Sequence, residues 1–143
     1  MLCVDVNVLV YAHRADLPEH AQYRALLDRL ANGDEPLGLP DLALSGFQRV
    51  ITNRRIFTTP ATPEQAWAAV DLLVEAPAVV TVKAGPRHWP IFRQLCADIA
   101  ARGDDVPDAY LAAYAVENNA TWLSADRGFA RFDRLRWRHP LES

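Results

Sequence analysis

Lysine is nearly absent from this chain, since Lys83 is the only one and arginine supplies the other basic side chains. The net charge is only −3, so no field of the whole molecule draws it to a polyanion. Contacts with phosphate groups would therefore come from individual arginines, whose planar guanidinium binds phosphate through two nitrogens. The same abundance of arginine also fits a coding bias of the source.

Cysteines and long apolar runs are scarce as well. Cys3 and Cys96 lie far apart in the chain, and we expect both to stay reduced and to pack as small apolar residues. No apolar run approaches the roughly 20 residues needed to span a bilayer. The N-terminus lacks the basic start and apolar stretch of a secretion signal. These absences predict a cytoplasmic protein with no membrane partner.

Strand and helix patterns alternate along the rest of the chain. Strands are predicted over 2–5, 37–39, 79–82, 121–124 and 135–138, and helices over 7–13, 18–31, 40–51, from 63 onward, 88–101 and 108–117. Thr62, Pro63 and Gln65 form the start signal of the fourth helix. The pattern predicts an α/β fold of three layers, with a parallel sheet of four to five strands flanked by helices. The length suits a single domain over residues 1–143.

Three aspartates lie where such a fold binds ligands. Asp5 ends the first strand, Asp126 follows the fourth, and Asp108 begins a helix directly after Pro107. The carboxyl ends of parallel strands meet at one edge of the sheet, and clustered carboxylates there can hold Mg²⁺ or Mn²⁺. Taken singly, each aspartate also fits a helix cap or a turn. Taken together, they favour a metal site.

Other side chains are predicted around this edge. Asn7 and Ser124 are placed to orient a carboxylate or a metal-bound water. Asp104 and Asp105 look like solvated loop acids, and the tyrosines and tryptophans like core residues. A phosphoaspartyl phosphatase is a poor fit, because it requires a second aspartate at position 7 and a later catalytic lysine. No glycine-rich phosphate loop is present either.

Four segments in order carry a resemblance to a known family: residues 5–12 (DVNVLVYA), 47–53 (FQRVITN), 108–113 (DAYLAA) and 124–129 (SADRGF). Together with the ending at 132–140 (FDRLRWRHP), they resemble PIN-domain ribonucleases, in particular VapC-type toxins of toxin–antitoxin pairs. The resemblance implies a metal-dependent endoribonuclease, with Asp5, Asp108 and Asp126 as the acids that bind Mg²⁺ or Mn²⁺. It also implies a homodimer and a cognate VapB-type antitoxin.

The chain departs from the family at Gly46. The family usually has a glutamate of the site here, whereas this segment reads Leu44-Ser45-Gly46-Phe47. Asp41 lies about 140° around the helix from position 46 and is a poor substitute; we expect it to cap the helix. The departure predicts reduced cleavage of RNA. The alternative is an inactive PIN domain that binds RNA or a protein.

Arginines near these motifs are candidates for contacts with RNA. Arg49 follows Gly46 on its helix, and Arg127 and Arg131 follow Asp126. As phosphate contacts they would make RNA binding strongly dependent on salt. A solvated basic face, or a surface that contacts the antitoxin, explains the same arginines.

Overall fold

The fold is a five-stranded parallel sheet with helices on both faces, seen in a computed structural model that describes residues 1–142. The strands are β1 (Leu2–Val4), β2 (Leu37–Pro40), β3 (Val79–Val82), β4 (Thr121–Leu123) and β5 (Trp137–Arg138). Their order in the sheet is β3-β2-β1-β4-β5. The predicted three-layer α/β fold is confirmed, and Ser143, the last residue of the predicted domain, lies outside the described range.

Within residues 1–142, six α-helices and one short 3₁₀ helix connect the strands. The α-helices are α1 (Val6–His13), α2 (His20–Ala31), α3 (Asp41–Ile51), α4 (Pro63–Glu75), α5 (His88–Ile99) and α6 (Asp105–Glu117). The 3₁₀ helix spans Arg127–Arg131 and was not predicted from the sequence. No helix within residues 1–142 is long and apolar enough to cross a membrane.

The central strand β1 divides the core into two parts because successive side chains of a strand point to opposite faces. Leu2 and Val4 belong to the cluster that α1 to α4 form on one face. Cys3 points to the other face, where α5 and α6 pack with Trp122 and the 3₁₀ helix. With both faces covered, the carboxyl edge of the sheet remains the place for a site.

Helix α6 begins three residues earlier than predicted, at Asp105. Pro107 therefore lies inside the first turn rather than before the helix. A proline is tolerated there because the first N–H groups of a helix have no partner within it. Asp108 consequently lies in the first turn, and Asp105 belongs to the helix instead of a polar loop.

Two predictions about helix starts have opposite outcomes. The predicted capping box of α4 is confirmed: Thr62 Oγ1 accepts from the Gln65 N–H at 3.1 Å, and Gln65 Oε1 accepts from the Thr62 N–H at 3.0 Å. The prediction that Asp41 caps α3 is wrong. Pro40 is the N-cap, and the Asp41 carboxylate instead accepts from the Tyr114 hydroxyl at 3.0 Å. That bond ties the start of α3 to α6.

The aromatic side chains are only partly in the core. Tyr114 and Trp122 are buried as predicted. Trp67 and Trp89 are 57% and 65% exposed, so the prediction of core positions is wrong for them. Both lie on the exposed faces of their helices, and Ala66 is one of the residues that α4 buries instead.

Candidate metal centre at the carboxyl edge of the sheet

Asp5 lies directly after β1 with its carboxylate buried, at 6% exposure. Oδ1 accepts from the Val6 N–H at 2.7 Å and so caps α1. Oδ2 accepts from the Ser124 hydroxyl at 2.6 Å and, more weakly, from Asn7 Nδ2 at 3.4 Å. The helix cap that the sequence allowed is therefore present, and the same carboxylate also faces the candidate site.

Ser124 and Asn7 link the ends of β1 and β4. The Ser124 hydroxyl oxygen accepts from Asn7 Nδ2 at 3.1 Å and from the Asp126 N–H at 3.0 Å while it donates to Asp5. Asn7 Oδ1 accepts from the Ala125 N–H at 3.2 Å. Both side chains therefore lie where the sequence placed them, and Ser124 sets the relative position of Asp5 and Asp126.

Burial, hydrogen bonds and the two other aspartates together set the pKa of Asp5. Burial raises the pKa of Asp5 to about 6, and the hydrogen bonds from Ser124 and Val6 offset part of that rise. The negative charges of Asp108 and Asp126 are smaller contributors to this rise. The structure thus brings the three predicted carboxylates to one edge of the sheet, as the strand pattern indicated.

Asp126 and Asp108 are each held through one oxygen. Asp126 Oδ1 accepts from the Gly128 N–H at 2.8 Å and caps the 3₁₀ helix. Asp108 Oδ2 accepts from Arg131 Nη2 at 2.9 Å. The other oxygen of each carboxylate accepts no hydrogen bond from residues 1–142. Asp126 and Asp108 therefore each keep a free ligand atom.

The three candidate RNA contacts differ in how free they are. Arg49 is exposed on α3. Arg127 is exposed but forms an ion pair with Glu142 at 2.7 Å. Arg131 forms ion pairs with both Asp105, at 3.1 Å, and Asp108, at 2.9 Å.

The role of Asp105 was missed by sequence reasoning. It was predicted to be a solvated loop acid, and this is wrong, because it begins α6 and pairs with Arg131. One available signal was its spacing from Asp108, since residues three apart lie on the same face of a helix. The pairing with Arg131, far along the chain, left no such signal.

Gly46 of α3 faces Val6 of α1. A Cβ atom built on Gly46 would lie 2.8 Å from Cγ2 of Val6, the residue that follows Asp5. A side chain at position 46 would thus meet α1 next to Asp5 in the chain. In this chain the Val6 side chain fills that space.

The donor set has the chemistry that Mg²⁺ and Mn²⁺ require, since both ions prefer carboxylate oxygens. The carboxylates are, however, not yet grouped as the ligands of one ion would be. Within residues 1–142 no three His, Cys, Asp or Glu side chains are grouped closely enough to hold one ion. The carboxylates fit a divalent ion provided that an exposed or half-buried member turns its free oxygen inward. Asp126 and Asp108 can do so more easily than the buried Asp5.

Comparisons with known proteins agree with this architecture. The family model described as PIN domain matches residues 2–135. Ribonuclease VapC43 of Mycobacterium tuberculosis is 71% identical over 99% of this chain and 97% of its own length. Ribonuclease VapC25 of the same organism is 43% identical over 98% of this chain and 99% of its own length. Among solved structures, a similar chain is found in VapBC2 from Rickettsia felis bound to a DNA fragment from its promoter. The two chains align with a TM-score of 0.73 and 17% identity, over 96% of this chain and 97% of that one.

Proposed function

The chain belongs to the PIN-domain family and, within it, to the VapC ribonucleases, and we propose that it is a metal-dependent endoribonuclease that hydrolyses RNA phosphodiester bonds. The metal ligands in this proposal are Asp5, Asp108 and Asp126, and the ion is Mg²⁺ or Mn²⁺. The observation that carries it is the buried Asp5 carboxylate, on which the charges of Asp108 and Asp126 both act. Such mutual repulsion is relieved by a cation.

Each part of the site has a distinct task in this proposal. A bound divalent ion would lower the pKa of the attacking water and offset negative charge on the phosphate. Ser124 and Asn7 hold Asp5 through Oδ2, and the Gly128 N–H holds Asp126 through Oδ1. These bonds hold Asp5 and one oxygen of Asp126 in place before substrate arrives, and the free oxygens of Asp126 and Asp108 remain to turn toward the ion.

Gly46 lowers the activity in our proposal, because the family's fourth carboxylate is missing at this position, which packs against Val6 directly after Asp5. Three carboxylates still attract one divalent ion. The loss of the fourth weakens the binding of any second ion and removes one group that could orient the nucleophile. Restoring glutamate alone would force it against Val6, 2.8 Å from the added Cβ. A fair test therefore also reduces Val6 to alanine.

The proposed function also includes an antitoxin partner, a second copy of the chain and RNA. The Rickettsia felis neighbour is a VapBC complex, and the sequence relatives are VapC proteins. We propose that this chain pairs with a VapB-type antitoxin, forms a homodimer and acts on RNA in the cytoplasm. Exposed Arg49 is the candidate RNA contact with the fewest competing interactions, whereas Arg127 must first release Glu142.

The test measures cleavage of a pool of transfer, ribosomal and messenger RNA in Mn²⁺, in Mg²⁺ and in a chelator. We expect slow cleavage that depends on the metal and falls by about 100-fold in Asp126→Asn, because one ligand of the ion is lost. The Val6→Ala/Gly46→Glu double variant should cleave faster than Val6→Ala, its matched control. Cleavage that persists in the chelator, or that Asp126→Asn leaves unchanged, would exclude this mechanism.

The packing of Val6 against Gly46 also favours a second candidate, an inactive PIN domain that binds RNA or a protein without cutting. In that case the unaltered chain would bind RNA but cleave none of it at any metal concentration. Activity that appears only in the double variant would select this second candidate.

A further inference from the structure

Arg131 is an unusual neighbour for a metal ligand. Its Nη2 donates to Asp108 Oδ2 at 2.9 Å and to Asp105 Oδ1 at 3.1 Å. Its guanidinium carbon lies 4.6 Å from the centre of the Phe132 ring, and its Nη1 donates to the Gly128 carbonyl. Four contacts from three directions therefore fix this side chain at the edge of the candidate site.

These contacts leave little of the guanidinium for RNA. Arginine has five N–H donors, and three of them go to Asp105, Asp108 and Gly128. Nε is buried and has no hydrogen-bond partner in the part of the chain that the structure describes. The two-nitrogen fork that would clamp a phosphate is thus already occupied or buried. Arg131 faces carboxylates of its own chain instead.

Asp108 differs from the other two site carboxylates in the charge of its partner. Within residues 1–142, Asp5 accepts only from the neutral donors Val6, Asn7 and Ser124, and Asp126 accepts only from the Gly128 N–H. Asp108 alone is bonded to a full positive charge. A divalent ion that takes Asp108 as a ligand must share it with Arg131 or displace Arg131.

Asp105 gives Arg131 a second place to bind. It lies one turn before Asp108 on α6 and already accepts from the same Nη2 atom. When Arg131 leaves Asp108, its charge stays paired with Asp105, so the release avoids the cost of an unpaired charge. The absence of any preformed group of three ligands among the described residues agrees with Arg131 drawing Asp108 toward itself.

We propose that Arg131 is a positioning residue that competes with the divalent ion for the Asp108 carboxylate and so sets the metal concentration at which the site fills. Asp105 is the anchor that holds Arg131 after the exchange. This inference rests on the proposed metal-dependent function. In this inference Arg131 controls metal binding and does not contact RNA.

The experiment titrates the full-length protein with Mn²⁺ by calorimetry, without RNA. Arg131→Gln should bind Mn²⁺ about tenfold more tightly than the unaltered chain, because the competing charge is gone. Arg134→Gln is the matched control: it removes an equal charge from the same segment, where Arg134 pairs with Asp98 at 2.6 Å, and should change the affinity less than twofold. Asp105→Asn should bind Mn²⁺ several-fold more weakly, because Arg131 then has only Asp108 to pair with.

Arg131→Lys separates direct competition from long-range charge and serves as the readout if Arg131→Gln does not fold. Lysine keeps the charge but lacks the planar fork, so we expect an affinity between those of the unaltered chain and Arg131→Gln. If folded Arg131→Gln binds Mn²⁺ with the affinity of the unaltered chain, this inference is overturned and the metal site stands. If Arg131→Gln does not fold, the same result in folded Arg131→Lys overturns it. Absence of Mn²⁺ binding in every variant overturns the metal site itself, and this inference with it.

Discussion

Asp5 serves both the fold and the candidate site, and the two roles oppose each other. As the cap of α1 it satisfies the Val6 N–H, which stabilises the helix. As a buried carboxylate beside Asp108 and Asp126 it carries a charge that burial disfavours. The charge of Asp5 therefore lowers the stability of the metal-free protein, as expected of residues kept for chemistry rather than for stability.

The first prediction concerns Asp5→Asn in a chelator. The folded-state pKa of about 6 lies above the ordinary value of 3.8, so the fold favours the protonated form. The cost is fully present above about pH 6 and disappears as the pH falls toward 4. Asparagine removes the charge, and we expect the free energy of unfolding to rise by about 1–3 kcal/mol near pH 7.5.

Urea denaturation near pH 7.5 and near pH 4.5 measures this effect. The gain should shrink at the lower pH, where Asp5 of the unaltered chain is itself protonated. Asp126→Asn is the control, because Asp126 is exposed and its charge costs less. A gain that is the same at both values of pH would show that the charge of Asp5 is not its cause.

The helices differ in how far local sequence determines their boundaries. Helix α4 begins where Thr62, Pro63 and Gln65 predict, because a capping box satisfies its own N–H groups within four residues. Helix α6 begins before its proline, and α3 begins with an aspartate that bonds to Tyr114 rather than to its own backbone. Local signals thus decided α4, whereas tertiary contacts decided the role of Asp41.

Replacing Thr62 tests the capping box of α4. Thr62→Ala removes the acceptor for the Gln65 N–H and should lower the free energy of unfolding by about 1 kcal/mol. Thr58→Ala is the matched control, since Thr58 is exposed and precedes the helix. Thermal unfolding of the two variants compares them directly, and equal losses would argue against the cap as the cause. RNA cleavage should not change, because the Thr62 side chain bonds within the capping box and to none of the proposed metal ligands.

For the whole molecule, the central strand β1 is buried along its full length. Cys3 lies in β1 between β2 and β4 and is fully buried. Gly38 of β2 lies so close that an added Cβ would approach Cys3 Sγ to 2.7 Å. Burial raises the pKa of the Cys3 thiol to about 12. Cys3 therefore becomes reactive only when the sheet opens.

The third prediction follows from this protection. Under native conditions at about pH 8, iodoacetamide should label the half-buried Cys96 and leave Cys3 unmodified, because the thiolate is the reactive form. Labelling of Cys3, followed by mass spectrometry across a urea series, should follow the global unfolding curve. Native labelling of Cys3 as fast as that of Cys96 would show that β1 opens locally.

The sequence by itself determined the alternation of strands and helices, the acids at the strand ends and the family. Each of these depends on short-range patterns: apolar periodicity, capping residues and motifs of a few consecutive positions. The parallel sheet follows from them because alternating elements can bury their apolar faces in few other ways. Asp5, Asp108 and Asp126 were therefore predictable as neighbours.

Only the tertiary structure decided which charges and side chains surround those acids. Arg131 meets Asp108 and Asp105 across 23 and 26 positions of the chain, and Val6 fills the space in front of Gly46. Such contacts depend on how α1, α3, α6 and the 3₁₀ helix pack against one another, and no local pattern encodes that packing. Ion pairing and van der Waals contact act over a few ångströms, so they are fixed only when the fold brings distant segments together.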